Sequence, residues 1–494
     1  MNAISPASAT QNSVVHTDVI VVGAGLSGIG AGYHLQANCP DRSYMILEGR
    51  DCIGGTWDLF RYPGIRSDSD MYTLGYNFRP WTEAKAIADG PSILKYVRET
   101  AAAYGIDQKI RFNHRVVRAD WSSEESRWSV EAEVGEERRP VRFTCNFLFM
   151  CSGYYDYAGG YAPEFPGAAD FAGRIVHPQA WPEDLDYAGK RVVVIGSGAT
   201  AMTLVPAMAG QAAHVTMLQR SPTYVVSRPA EDKFANFLRG VLPGMLAYQI
   251  IRWRNVLVGL YYFRLMRKYP AQAKKNIVDM VRAELGPDFD VAKHFTPSYN
   301  PWDQRLCLVP DSDLFKALKS GAASVVTDTI ARFTPGGIRL NSGEELAADI
   351  IVTATGLRMK LMAGMAVTVD GKPVDFAQTT TYKGMMFSGV PNLAQAFGYT
   401  NASWTLKCDL TCDYVCRLLN HLKAEKLTTC VPTLPEGGIE PEPFMDFTSG
   451  YVQRAQAMLP KQGSVAPWKV YQNYVADLFM LRFGKLRDGG MKFR

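Results

Sequence analysis

Asp18-Val-Ile-Val-Val-Gly23-Ala-Gly25-Leu-Ser-Gly28 decides the fold. The β-branched run before Gly23 ends in glycine, which reads as a buried parallel strand. Gly23, Gly25 and Gly28 then supply a tight turn, a close backbone approach to a pyrophosphate and close packing of the next helix on the strand. The helix from Leu26 aims its first amides at the phosphates. Met45-Ile-Leu-Glu48 predicts a second strand, and Glu48 ends it where an acidic side chain accepts ribose hydroxyls.

Working outward, the same device recurs after Arg191-Val-Val-Val-Ile195, as Gly196-Ser-Gly198-Ala-Thr-Ala201. The strand that follows, His214 to Gln219, ends at Arg220-Ser221 instead of an acid. A guanidinium beside a hydroxyl suits a 2′-phosphate and so NADPH, the other reading being a surface arginine without a ligand. Beside the first turn lies Gly54-Gly55-Thr56-Trp57, then Arg61-Tyr-Pro-Gly64-Ile-Arg66-Ser-Asp68. A second Gly-Gly turn there predicts backbone wrapped round an extended cofactor, FAD. Trp57 and Tyr62 stand where a dithiol-relay flavoenzyme would carry its two redox cysteines, which argues against that class.

Two such turns predict an α/β chain of two dinucleotide-binding, Rossmann-like domains with a helical insertion in the NADPH domain. The expected parts are an FAD domain over 15–156 and 359–494, an NADPH domain over 157–222 and 295–358, and an insertion over 223–294. Alternation between Ile110 and Ser152 predicts a small meander of hairpin strands that leads back to a buried strand, Phe147 to Cys151. Asp349-Ile-Ile-Val-Thr-Ala354-Thr-Gly356 predicts the strand that returns the chain to the first domain. Gly398-Tyr-Thr-Asn-Ala-Ser-Trp404 precedes an apolar helix that Ser or Asn can cap, and that helix start can face the flavin pyrimidine.

Asp232 to about His294 reads as helical, with aromatic and basic residues interleaved, as in Tyr248-Gln-Ile-Ile-Arg252-Trp-Arg254. Two readings stay open: an aromatic face packed on the nucleotide domain, or an amphipathic helix on a membrane surface. Hydrophobic residues at 47%, charged residues at 20% and a net charge of +5 without basic runs describe a globular protein with no nucleic-acid footprint. Nine cysteines without paired spacing suggest free thiols. Cys408, Cys412 and Cys416 share one helix face, as buried thiols or conceivably as metal ligands; no metal is expected. The first basic residue is Arg42, so a secretory leader is not expected, Met1 to His16 read as a disordered lead-in, and the location expected is cytoplasmic, with membrane association open.

Between the two turns lies Phe171-Ala-Gly173-Arg-Ile-Val-His177-Pro-Gln-Ala-Trp181-Pro182. Its form FxGxxxHxxxWP resembles the fingerprint of the Baeyer–Villiger monooxygenases at every fixed position. Longer runs, Gly54 to Gly64, Asn300 to Pro310 and Gly398 to Lys407, are similar to the mycobacterial, ethionamide-activating branch of that family. The resemblance covers the chain from about Asp18 onward. It implies an enzyme that uses FAD, NADPH and O2 to insert one oxygen atom into a ketone through a flavin peroxide, giving an ester or lactone. It also implies oxidation of thioethers or thioamides.

The family's catalytic arginine carries over to Arg305 and its partner carboxylate to Asp68, which also borders the cofactor. Many members carry Lys directly before that arginine; Gln304 stands here, so NADPH selectivity is expected to rest mainly on Arg220. The remaining expected cofactor contacts are Gly55, Thr56, Trp57, Ser221 and Trp404. His177 is a candidate for acid–base work by residue type. The position of the fingerprint, where one domain hands over to the other, instead predicts a hinge. Two rivals are a monooxygenase acting mainly on nitrogen or sulfur, and a nucleotide-binding redox sensor or NADPH oxidase.

Overall fold

The structure, a computed structural model, describes residues 14–445 and 447–494. Strand Val15–Val22 sits between Arg139–Met150 and Tyr44–Leu47, parallel to both, in a nine-stranded sheet. Its alternate residues serve two cores, as a strand period of two requires. Val19 and Val21 face the helices Leu26–Asn38 and Trp404–Ala424, while Ile20 and Val22 face a layer containing Trp121, Trp128 and Met150. Val15 and His16 pair with Phe143 and Thr144. That corrects the end of the expected lead-in, whose first 13 residues lie outside those described.

The expected meander is present and leads back to the buried strand without a break. Val141 to Thr144 and Phe147 to Met150 belong to one strand, Arg139–Met150, which continues from the antiparallel ladder His114–Ser122 and Arg127–Val134 into the parallel core. Leucine and phenylalanine run unbroken only where both faces of the sheet are covered, at 147–150, which is why the two halves look unlike in sequence.

The second sheet has five parallel strands in the order Ala323–Thr327, His214–Gln219, Arg191–Ile195, Ile350–Thr353 and Arg174–Val176. Val192 and Val194 pack on helix Ala199–Ala209. Val193 and Ile195 pack under a small antiparallel sheet through Phe333 and Ile338. The fold class is thus the expected one, two glycine-turn sheets of α/β type.

The insertion holds helices Lys233–Val241, Gly244–Lys268 and Pro270–Leu285. Pro270–Leu285 packs on the second sheet's core. Gly244–Lys268 crosses to the first half instead: Ala247, Tyr248 and Ile251 join the core that contains Met71 and Tyr72. Buried Arg252 donates to the carbonyls of Tyr72 and Gly75 at 2.8 and 2.7 Å. The expected packing of the aromatics holds in part: Tyr248 is buried, while Tyr261 and Tyr262 are exposed and Trp253 meets the edge of Tyr474.

Candidate active site

Gly23 turns the chain at φ +105°, and a Cβ there would lie 2.7 Å from the carbonyl oxygen of Cys151 on the returning strand. Gly28 is tighter still, since its Cβ would fall 1.8 Å from the oxygen of Gly23. Gly55, at φ +57°, brings its backbone against Gly25, and a Cβ on it would sit 3.1 Å from the Gly25 Cα. A side chain at Gly23 or Gly28 would force the turn and its helix off the strand, and one at Gly55 would push the second loop away from Gly25. Ser152, whose Cα borders Gly23, keeps a buried Oγ without a partner among the described residues. These features fit FAD.

Glu48 is buried and accepts from the amides of Ala24 at 2.7 Å and Arg50 at 2.9 Å. Burial pushes its pKa up and those amides oppose the shift. Thr56 and Trp57 begin the short helix Thr56–Leu59, and the Thr56 hydroxyl meets that of Tyr157 at 3.3 Å.

Two further elements complete this side. Trp404 starts helix Trp404–Ala424 and donates its indole N–H to Ser27 Oγ at 2.8 Å, inside the first turn. Ser403 stands at the cap position but makes no side-chain cap; its hydroxyl is 2.6 Å from that of Thr73, and Asn401 donates to the carbonyl of Gln472. The expected cap is therefore absent, and the helix's first amides are left without side-chain acceptors from Ser403 or Asn401. Such amides hold partial positive charge.

Asp58, missed from sequence, is the other. It is buried and accepts from Arg50, Arg61 and Arg98 at 2.6, 3.0 and 2.8 Å, while Arg50 and Arg98 also reach the carbonyls of Gly55 and Ile53. Burial raises its pKa, but the Cys52 thiol and the three guanidinium groups outweigh it and hold the carboxyl low. Nothing but the neighbouring glycines marked this acid in the sequence.

The second turn repeats the first at one point only. A Cβ at Gly196 would lie 2.3 Å from the carbonyl oxygen of Ala354, as Gly23 does with Cys151. Gly198 has nothing within 4 Å, and Ala201 is buried in the following helix. Arg220 and Ser221 are exposed just past strand His214–Gln219, and the Ser221 carbonyl accepts from Ser197 of the turn at 3.0 Å. An exposed guanidinium thus stands beside an open turn.

Between the turns, Arg305 Nη1 lies 3.6 Å from Asp68 Oδ2. The Arg305 side chain is 41% exposed. Asp68, then opposed by burial, raises its pKa further, so it is charged at every relevant pH.

A continuous set of contacts links this pair to both turns. Tyr154 packs on Trp404 with centroids 5.2 Å apart and its hydroxyl is 3.1 Å from that of Tyr155. Tyr154, Tyr155 and Tyr451 all feel the Arg305 charge, and burial lifts each phenol above its ordinary range. On the other side Cys307 lies 4.0 Å from the carbonyl of Ser197. These tyrosines were not picked from sequence, though a Tyr-Tyr pair directly after the strand stop at Gly153 was the available signal.

The fingerprint lies elsewhere. Phe171 and Gly173 lead into edge strand Arg174–Val176; a Cβ on Gly173 would sit 2.2 Å from the carbonyl oxygen of Asp349. His177 follows, its Nδ1 accepting from the amide of Gln179 at 3.2 Å and its Nε2 buried without a partner among the described residues. Burial lowers its pKa. Its ring rests on Gly160, where a Cβ would fall 1.9 Å away, in the segment that Tyr161 bonds to Gly356. Trp181 packs on the second sheet's core and Pro182 accepts from Leu185. His177 is thus at the two chain crossings between the halves.

Residues 21–86 match the NAD(P)-binding Rossmann-like domain and 85–255 the flavin-binding monooxygenase-like family. The chain is 57% identical over 479 residues to "FAD-containing monooxygenase EthA" of Mycobacterium tuberculosis, covering 97% of this chain and 98% of that protein. It is 49% identical to "Probable FAD-binding monooxygenase AlmA" of Acinetobacter baylyi, covering 97% and 96%. In fold it is similar to a steroid monooxygenase bound to NADP (TM-score 0.77, 23% identity, 97% and 99% covered). Cyclohexanone monooxygenase has a similar fold (TM-score 0.75, 19% identity, 97% and 100% covered).

Proposed function

The chain belongs to the FAD-containing monooxygenases, and on that footing we propose that it is a Baeyer–Villiger enzyme using FAD and NADPH to convert ketones to esters or lactones. The observation that carries this reading is Arg305, a permanently charged, part-exposed guanidinium paired with Asp68 at 3.6 Å. Bound FAD, reduced by NADPH, supplies the chemistry that activates O2 for transfer of one oxygen atom.

The chain's own part is electrostatic. Arg305 stabilises negative charge that develops on the transferred oxygen and on the attacked carbonyl, in a site where such donors act more strongly than in water. Asp68 fixes the guanidinium's position and moderates its field. Tyr154, Tyr155 and Tyr451 stay protonated, since burial raises their pKa values, and so offer O–H donors beside it without adding negative charge. Amides at the start of helix Trp404–Ala424 complement charge on the flavin. Arg220 and Ser221 take the 2′-phosphate of NADPH. His177, half-buried and biased to the neutral form, shapes the crossing between domains and does not transfer protons in the reaction.

Thioethers and thioamides are oxidised at the same place. A sulfur nucleophile needs no carbonyl to be polarised, so it leans less on Arg305. Arg305→Ala, assayed with a ketone, should lose ester formation by roughly 100- to 1000-fold, while NADPH still bleaches the flavin. Sulfide oxidation should fall less. In the same assay His177→Ala should still form ester but consume NADPH without matching product. Ketone turnover that persists in Arg305→Ala overturns the assignment.

A further inference from the structure

Helices Lys233–Val241 and Gly244–Lys268 carry apolar surface that nothing in the described chain covers. Among the described residues, thirteen of the twenty-two exposed large hydrophobics fall between Phe234 and Tyr269. On the longer helix Leu246, Ile250, Trp253, Leu257 and Tyr261 recur every three or four residues and so form one stripe. Leu257 is 52% and Tyr261 61% exposed, where isolated surface hydrophobics would call for no explanation. The opposite face is committed inward, through Ala247, Tyr248, Ile251 and Arg252.

Charge says what covers the stripe. From Lys233 to Val278 there are nine Lys and Arg and no Asp or Glu. Arg252, Arg254 and Arg239 are used internally, on Asp409, on Asp232 and on the carbonyls of Thr82 and Glu83. Lys233 at the start and Arg264 and Lys268 at the end are exposed, and the last two continue the stripe at helical spacing. We propose that this face docks on an anionic phospholipid bilayer, the 25-residue helix lying flat in the interface. No described helix is long and apolar enough to cross a membrane. A second copy on a two-fold axis would set the same cations against each other with no acid in the stretch to offset them.

Holoenzyme is sedimented with vesicles of phosphatidylcholine alone and of phosphatidylcholine with about a third phosphatidylglycerol, the mixture chosen so that anionic lipid contributes roughly fivefold affinity per surface Lys or Arg. Wild type should pellet with the anionic vesicles, weakly with the neutral ones, and less in high salt. Arg264→Glu/Lys268→Glu should bind more than about twentyfold more weakly, and Leu257→Glu/Tyr261→Glu should also stay in the supernatant. NADPH consumption without vesicles, matched to wild type, shows that both variants are folded. Wild type that remains in the supernatant overturns the proposal, as does a Leu257→Glu/Tyr261→Glu variant that pellets normally. A vesicle-free dimer that Leu257→Glu splits also overturns it, because a second copy then covers the face.

Discussion

At the first glycine-rich turn a methyl added to Gly28 would overlap the Gly23 oxygen at 1.8 Å, while at the second turn Ala201 already carries a methyl in the equivalent place. Around the first, Gly55 closes on Gly25, Trp404 bonds Ser27, and the caged Asp58 pins the Gly54-Gly55 loop from behind. Around the second, Gly198 has open space and Arg220 stands exposed. The helix after each turn differs as well. Leu26–Asn38 is tied to Trp404–Ala424 by His34 on Asp409 and by Cys39 on the carbonyl of Cys416, whereas Ala199–Ala209 has no ionisable side chain. Walls on every side suit a group that stays through many turnovers, and one open side suits a reductant that exchanges.

The largest test of this contrast is Gly28→Ala against Gly198→Ala. The first must move backbone, at a cost above roughly 3 kcal/mol, so the purified protein should lack flavin absorbance or fail to fold. The second adds a methyl to empty space; it should keep FAD and melt within about 2 °C of wild type, with a raised KM for NADPH. Full flavin content in Gly28→Ala would break the comparison.

Both turns were legible because a glycine that admits a backbone oxygen has no substitute, and the strand before each is unambiguous. Their surroundings were not. Asp58 meets Arg98 from another helix, and His34 meets Asp409 across 375 residues, so no local pattern announces either. Arg305 was legible only through resemblance; the tyrosines around it come from two distant segments, and only the Tyr154-Tyr155 pair left a local signal. The stripe on Gly244–Lys268 shows a different limit. Apolar residues at helical spacing read alike whether the face is packed or bare, and only the exposed Tyr261 and Tyr262 decide it. The three thiols of helix Trp404–Ala424 were read correctly as buried, Cys408 resting 3.3 Å from Ser27 Oγ.

A smaller effect is expected at the open side. Arg220→Ala removes one charge-assisted contact, which should raise KM for NADPH by about 10- to 100-fold and leave KM for NADH nearly unchanged. Flavin content should not alter. Equal losses with both nucleotides would mean that Arg220 shapes the second turn without reading the phosphate, and the contrast would then rest on packing alone.

The smallest effect concerns the tether behind the first turn. His34 lies 3.4 Å from Asp409 and 3.1 Å from Asp413, with Arg252 on the far oxygen of Asp409 and Arg482 on Asp413. Burial works against its charge, but the two carboxylates win and lift its pKa to about 9. A histidine whose pKa is higher folded than unfolded stabilises the fold fully below its ordinary pKa, and that contribution disappears as pH rises through the folded value. Stability should therefore fall between about pH 6.5 and 9, by at most about 3 kcal/mol from this group, seen as a Tm drop of at most about 3 °C. His34→Gln should start lower and lose that slope, because glutamine still bonds a carboxylate but does not titrate. The second turn's helix, without ionisable groups, gives no counterpart, so NADPH affinity should not follow the same profile. If His34→Gln melts with the wild-type slope, the first turn is not held by this ionic tether, and its rigidity must come from the glycine contacts alone.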